Sequence, residues 1–327
     1  MDKNECRIVF MGTPEFAAES LKILDENRYN ISAVVTAPDK PAGRGLKILE
    51  SDVKKYALEN NLPVLQPEKL KNEDFVNQLK ELNPHIIVVV AFRMLPEVVW
   101  RIPTLGTFNL HASLLPQYRG AAPINWAVIN NEKETGITTF LIDANIDTGS
   151  ILFQEKISIE YEDDAGVVHD KLMKIGAQLV LKTINALIKN DYSVINQNFL
   201  ISDNTILKHA PKINKDDCRI NWTKPISDIY NHIRGLSPYP TAFTEIYNKE
   251  KSILLKIYKA KEIKEFHNHK PETIYTDNKT FFKVAVNGGY INILNIQQAG
   301  KIRMNIADFL RGFNDLDKYR IKNNCLS

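Results

Sequence analysis

Cysteine is scarce in this chain: three residues in 327, at Cys6, Cys218 and Cys325. Scattered and odd in number, they argue against a disulfide framework and fit cytosolic thiols. Nor does any His/Cys cluster have metal-ligand spacing, so no metal is expected. Long hydrophobic runs are missing too. The longest, Ile86 to Phe92, is far below the roughly 20 residues a bilayer-crossing helix requires. Met1 to Cys6 is polar and charged, without the apolar core of a secretory leader, so a cytoplasmic location and no membrane are expected. The dinucleotide fingerprint G-x-G-x-x-G is absent: Gly12 is followed by Thr13 and Pro14 with no second glycine. That tells against an NAD-dependent dehydrogenase. Internal repeats and low-complexity tracts are also lacking. What remains is an ordinary globular composition, 44% hydrophobic and 25% charged, in a chain long enough for two domains.

The net charge of +3 conceals an asymmetry. From Leu207 to Ser327 there are 21 Lys and Arg against 12 Asp and Glu, a net of +9, which leaves the preceding residues at −6. A basic C-terminal third fits a polyanion partner; a lysine-rich solvated surface is the plainer alternative.

In chain order, Arg7 to Gly12 reads as a short apolar strand closed by glycine. A helix should follow, with Thr13 as its cap, Pro14 at its first position and Glu15 in its first turn. Phe16, Ala17, Leu21 and Leu24 fall on one face of that helix. This strand–turn–helix opening is that of a doubly wound sheet. Ile31 to Thr36 is a second strand. The loop Ala37 to Lys47 holds two prolines, two glycines and three cations, and reads either as a basic finger for phosphate or as an ordinary surface loop. Ser51 to Asn61 and Asn72 to Asn83 are helical by periodicity, with a short strand at Pro63 to Gln66 between them. Ile86 to Phe92 is β-branched throughout, as in a parallel strand buried on both faces. Pro96 to Ile102 is a short helix. Gly166 to Asn190 is the longest amphipathic pattern, and His169 near its start reads as a core or surface histidine. Periodicity then weakens from Asp191 to Ile206.

Pro225 to Gly235 is helical and is stopped by Pro238-Tyr239-Pro240. Five short alternating segments follow: Thr241–Tyr247, Ser252–Ala260, Thr273–Tyr275, Phe281–Val286 and Tyr290–Ile296. They suggest a small, OB-like β-barrel, and Met304 to Arg311 closes it as a helix. The expected fold class is therefore α/β: a Rossmann-like, doubly wound, mostly parallel sheet followed by a small C-terminal barrel. The expected domains are a catalytic one at 1–190, a linker at 191–206 and a basic OB-like domain at 207–327.

The chemistry concentrates between Thr107 and Gly149. Asn109 and His111 lie on a strand-like alternation, a loop carries Pro116 and Gly120, a short helix starts at Pro123, and a β-rich run ends in the turn Asp147-Thr148-Gly149. Singly these residues are unremarkable: a strand histidine is usually structural, and an Asp before Thr-Gly is usually a turn residue. Brought together at strand ends, an amide donor, an imidazole and a carboxylate make an acyl-transfer site.

The combination Asn109-Leu110-His111, Ser113-Leu114-Leu115-Pro116, Tyr118-Arg119-Gly120 and Asp147-Thr148-Gly149 resembles the signature of the formyltetrahydrofolate-dependent formyltransferases. Met11-Gly12-Thr13-Pro14-Glu15-Phe16, Asp39 to Gly45, Gly120 to Ile124, Ile220-Asn221-Trp222 and Gln298 to Lys301 resemble the branch of that family acting on initiator methionyl-tRNA. The likeness runs from about Arg7 to about Phe313. It implies 10-formyltetrahydrofolate as formyl donor, the aminoacyl-tRNA as acceptor, no metal, and action as a monomer. It further implies that Asn109 and a protonated His111 stabilise an oxyanion, that Asp147 assists proton movement, and that Ser113, Leu114, Leu115 and Pro116 wall the folate side. Arg44 and Lys47 are expected to meet tRNA phosphates. Departures from the family pattern are Asn145 for glycine, Ser150 for an acid, Tyr239 for Trp, and a short Phe92-Arg93-Met94-Leu95 segment that puts an arginine beside the folate pocket. Rival readings are a formyltransferase acting on a nucleotide sugar or purine precursor, a formyltetrahydrofolate hydrolase, and a non-catalytic tRNA-binding protein. The basic third and the Arg44 loop favour tRNA over the other formyl acceptors, and the intact Asn/His/Asp set favours catalysis.

Overall fold

The computed structural model describes residues 1–42, 47–202 and 206–322. The chain forms two compact units: Met1–Gly120 with Glu134–Ile157 and His169–Ala210, and Ala121–Lys133 with Ser158–Val168 and the chain from Pro211 onward.

The first unit opens with β1 (Ile8–Gly12), buried at every position, and α1 (Glu15–Glu26). Thr13 does not cap α1. Pro14 takes the N-cap position in extended conformation and offers no side-chain acceptor. A Cβ on Gly12 would lie 2.6 Å from the Ala17 Cβ, so only glycine lets helix follow strand so closely. Next come β2 (Ile31–Val35), β3 (Lys40–Ala42) and β4 (Lys47–Leu49). Within the segment read as a loop, β3 pairs antiparallel with β4, Ala42 opposite Lys47. Arg44 lies outside the described residues, and Lys47 opens β4. Then follow α2 (Asp52–Glu59), capped by the Ser51 side chain, β5 (Val64–Leu65) and α3 (Glu73–Leu82), capped by Asn72. After these come β6 (Ile86–Val90), α4 (Glu97–Trp100), β7 (Gly106–His111) and β8 (Arg119–Gly120). The helix α5 (Pro123–Ile129) belongs to the second unit. β9 (Glu134–Leu141), β10 (Ile151–Ser158), the long α6 (Ala165–Lys189) and β11 (His209–Ala210) complete the series.

The main sheet runs β10-β9-β7-β6-β1-β2-β5. From β5 to β7 it is parallel, and β9 joins antiparallel to β7. β6 is apolar along its whole length because neighbouring strands cover its edges and both of its faces are buried. Register places Gly12, Val90 and Leu110 level with one another, so His111 projects at the carboxyl edge of the sheet, where open α/β folds take ligands. On α6, His169 rests edge-on against Phe16 at 5.2 Å and pairs with Asp170, a structural role. Residues 191–206, read as a linker, hold Ile195, which bridges Ile151 through two 2.9 Å backbone bonds, and a 3-10 turn at Gln197–Leu200.

In the second unit, α7 (Ile226–Gly235) is followed by β12 (Ala242–Tyr247), β13 (Ser252–Ile263), β14 (Ile274–Thr276), β15 (Phe282–Val286), β16 (Gly289–Gln298) and β17 (Met304–Asn305). α8 (Ile306–Arg311) and β18 (Arg320–Ile321) end the series. The strands order as β14-β15-β16-β13-β12-β18, all antiparallel, around a core that includes Trp222, Phe243, Leu255, Phe282 and Leu316. Asn278, beside the edge strand β14, donates a 2.7 Å bond to Asp317, just before the other edge strand. The barrel is thus nearly closed. Met304 and Asn305, expected to be helical, pair with β16 instead, and the Asn305 side chain caps α8. Among the described residues no helix is long and apolar enough to cross a membrane.

Candidate active site

β7 delivers two of the expected residues. Asn109 and His111 are two apart on one strand, so they project from the same face. The imidazole of His111 is buried, and its Nε2 lies 2.9 Å from the Tyr118 carbonyl oxygen. A carbonyl only accepts, so Nε2 carries a hydrogen and Nδ1 is the atom left for chemistry. Nδ1 faces Asp147 Oδ2 at 3.7 Å. This is beyond a formed hydrogen bond, and one can form there only once Nδ1 has taken up a proton. Asn109 is half-buried, and its amide makes no hydrogen bond among the described residues, which leaves it available to donate.

Asp147 is held in place by backbone. Its Oδ2 accepts 2.9 Å from the Gly120 N–H, and its own φ is +56°. The left-handed residue of this turn is therefore Asp147, whereas Asn145 has no positive φ. The Asp143 carboxylate organises the turn, accepting from the Asn145 N–H at 3.0 Å and the Thr148 hydroxyl at 2.7 Å. Two glycines make the approach possible. A Cβ on Gly149 would fall 1.7 Å from the Leu141 oxygen. One on Gly120, at φ +127°, would fall 2.4 Å from the Ala210 oxygen.

A residue with no sequence signal completes the arrangement. Gln197, from the stretch read as a linker, is 1% exposed. Its Nε2 donates to the Asp147 carbonyl at 3.0 Å and the Gly149 carbonyl at 2.8 Å. Its Oε1 accepts from Arg119 Nη2 at 2.6 Å and Nε at 3.1 Å. One amide thus ties the carboxylate turn to the strand whose N–H holds the carboxylate.

Ser113, Leu115 and Pro116 are buried, while Leu114 is half-exposed. The Ser113 hydroxyl donates to the Gln117 carbonyl at 2.6 Å, and its carbonyl accepts from Thr138 Oγ1 at 2.6 Å. Gln154 donates to the Leu115 carbonyl at 2.9 Å. The turn between Ser113 and Tyr118 is thereby rigid, which fixes the Tyr118 carbonyl under His111. Arg93 sits at the carboxyl end of β6, stacks on Phe92 at 5.2 Å and donates to the Pro67 and Glu68 carbonyls. A cleft of about 590 Å³ next to that loop is lined in part by Gln66, Glu68, Lys69 and Phe75. Among the described residues no three His, Cys, Asp or Glu side chains cluster as metal ligands would.

An activatable amide, an imidazole with one free nitrogen and a backbone-anchored carboxylate at the edge of a doubly wound sheet define a group-transfer enzyme. Family models for "formyl transferase" and "formyl transferase, C-terminal domain" match residues 6–184 and 212–314, and the chain belongs to the formyl transferase family. It is 50% identical to a methionyl-tRNA formyltransferase of Bacteroides fragilis over 98% of this chain and 99% of that one. With the methionyl-tRNA formyltransferase of Bacteroides thetaiotaomicron it shares 52% identity over 98% of this chain and all of that one. An N-formyltransferase from Helicobacter canadensis, solved with folinic acid and dTDP-3-aminofucose, superposes with a TM-score of 0.63 at 24% identity over 88% of this chain and 98% of its own. HypX from Aquifex aeolicus with tetrahydrofolic acid gives 0.60 at 15% identity over 93% of this chain and 46% of its own. At such identities these two establish the fold alone.

Proposed function

We propose that this chain transfers the formyl group of 10-formyltetrahydrofolate to the α-amino group of methionine on initiator methionyl-tRNA, for translation initiation, as a cytoplasmic monomer. The observation that carries the reading is the His111–Asp147 pair beside a free Asn109 amide, in a chain about half identical along its length to methionyl-tRNA formyltransferases.

The neutral amine nitrogen attacks the formyl carbon, forming a C–N bond and a tetrahedral oxyanion. The Asn109 amide donates to that oxygen, an interaction worth about 3–4 kcal/mol when preorganised. The amine then gives its proton to His111 Nδ1, and Asp147 accepts a hydrogen bond from the imidazolium that forms. The C–N10 bond breaks, and N10 of the folate takes the proton. Ser113 to Pro116 form the folate-side wall, with Leu114 the side chain left to meet it. Arg44 and Lys47 meet tRNA phosphates, and the basic second unit holds the acceptor arm. Support for the tRNA assignment comes from the +9 charge after Leu207.

The test is direct. Purified protein, 10-formyltetrahydrofolate and methionyl initiator tRNA are expected to yield formyl-methionyl-tRNA, whereas elongator methionyl-tRNA should not. Conversion of a nucleotide amino sugar in place of the tRNA, or folate hydrolysis without an acceptor, would overturn the assignment.

A further inference from the structure

The barrel of the second unit carries an aromatic and basic face that the catalytic reading leaves unused. In β14, β15 and β16 the residues Ile274, Phe282, Val284, Ile291 and Ile293 fill the barrel core, so the positions between them face outward. Tyr275 pairs with Lys283, Lys283 with Asn292, and Asn292 with Lys261, a single outward row across four strands. Rings cluster around that row. Tyr275 lies 5.3 Å from Phe281, 5.6 Å from His269 and 6.0 Å from Tyr290. Tyr290 is buried beneath the cluster, His269 is exposed and Tyr275 is 45% exposed. Lys283 Nζ stands 5.2 Å from the Phe281 ring and 5.7 Å from the Tyr290 ring. Neither Lys283 nor Lys261 makes an ion pair among the described residues.

The cluster is preformed. His267 Nε2 bonds the carbonyls of Val286 at 3.1 Å and Gly289 at 2.8 Å, and its ring packs on Tyr290 at 4.4 Å. That pins the excursion between β13 and β14, which carries His269, onto the sheet. Exposed rings beside ammonium groups that hold no carboxylate complement the two parts of a nucleotide: a base with a π-face and a phosphate.

The geometry points to this face as a stacking platform for unpaired nucleotides of an RNA, with Tyr275 and His269 taking base faces and Lys283 and Lys261 the adjoining phosphates. A duplex hides its base faces and would gain only the lysines. The inference rests on the second unit's role in RNA binding and adds which face meets a base.

The experiment uses the full chain, without folate, and a fluorescein-labelled single-stranded RNA octamer read by anisotropy at low salt, free or annealed to its complement. Wild type is expected to prefer the single strand. Tyr275→Ala should weaken that binding by about 5- to 150-fold, the usual loss for one stacked base, and Tyr275→Phe should stay within about twofold. Lys283→Ala should lower the log–log salt slope by about 0.7. Should Tyr275→Ala fail to fold by circular dichroism, His269→Ala, at an exposed site, carries the same expectation. No octamer binding by wild type, or ring-removing variants that bind as wild type does, would overturn the platform. Formylation is assayed separately on the same preparations. Loss of formyl transfer with ring-dependent RNA binding intact refutes only the enzymatic reading, and formylation with ring-independent RNA binding refutes only the platform.

Discussion

Replacing Gln197 with alanine isolates the residue that ties the two halves of the site together. The change removes two donors to the carbonyls of Asp147 and Gly149 and the acceptor for two Arg119 N–H groups. Neutral hydrogen bonds contribute about 0.5–1.5 kcal/mol net and those to a charged partner about 1.5–3. With partial rescue by water, a loss of about 3 kcal/mol is expected. For a unit of this size that is a fall in Tm of about 6–12 °C. The effect on rate has a different origin. Freed from Gln197, the left-handed turn at Asp147 relaxes and the carboxylate leaves its seat on the Gly120 N–H. We expect kcat to fall about 10- to 100-fold, less than the 10²- to 10⁴-fold worth of general acid–base catalysis because Asp147 is displaced and not removed, with KM for folate and tRNA little changed. A thermal melt and steady-state formylation kinetics measure both quantities. The decisive comparison is Gln197→Ala in an Asp147→Ala background. If Gln197 works through Asp147, its effect on kcat vanishes there while its effect on Tm persists. Equal losses of kcat in both backgrounds would refute the reasoning.

Other outcomes follow from the same geometry. Asn109→Ala, His111→Ala and Asp147→Ala should each cut kcat by about 10²-fold or more with an unchanged circular dichroism spectrum; wild-type rates would sink the proposed roles. Gly120→Ala puts a Cβ 2.4 Å from a backbone oxygen at φ +127° and should cost about 2 kcal/mol or more together with most of the activity, checked by urea melts and assay. KM for tRNA should rise steeply with salt, by about 0.7–0.9 log units per log unit of salt for each phosphate contact, while KM for folate stays flat. Burial lowers the pKa of His232 to about 4, and its Nε2 has no partner. The unfolded chain therefore binds the proton first as pH falls. Stability present above about pH 6.5 should decline by about 3 kcal/mol by pH 4, and His232→Leu should flatten that part of a pH-dependent urea series.

Where apolar periodicity or turn chemistry acts locally, the sequence was legible. The run Ile86–Phe92 reads as a strand covered on both faces, and β6 takes up its first five residues. The 25-residue α6 matches its apolar spacing to within a residue at each end. The five longer barrel strands were found, although β13 and β16 extend beyond the alternating segments because they wrap along the barrel, where residues such as Lys261 and Glu262 still pair; the two-residue strands β17 and β18 were missed, being too short for alternation to show. The β3–β4 pairing was missed because three-residue strands, one of them holding Pro41, carry no alternation and only cross-strand pairing reveals them. Thr13 looked like a cap, but Pro14 enters extended and takes that position.

Motif by itself pointed to the class of chemistry: an amide and an imidazole two apart on a strand share a face. The tertiary structure alone decided how these side chains are held. The Tyr118 carbonyl assigns the hydrogen to Nε2 of His111, the Gly120 N–H seats Asp147, and Gln197, unmarked in a polar tract, fastens one to the other. These are contacts between residues up to 78 positions apart, and no local pattern encodes them, because a hydrogen-bond partner is chosen by proximity after folding and not by position along the chain.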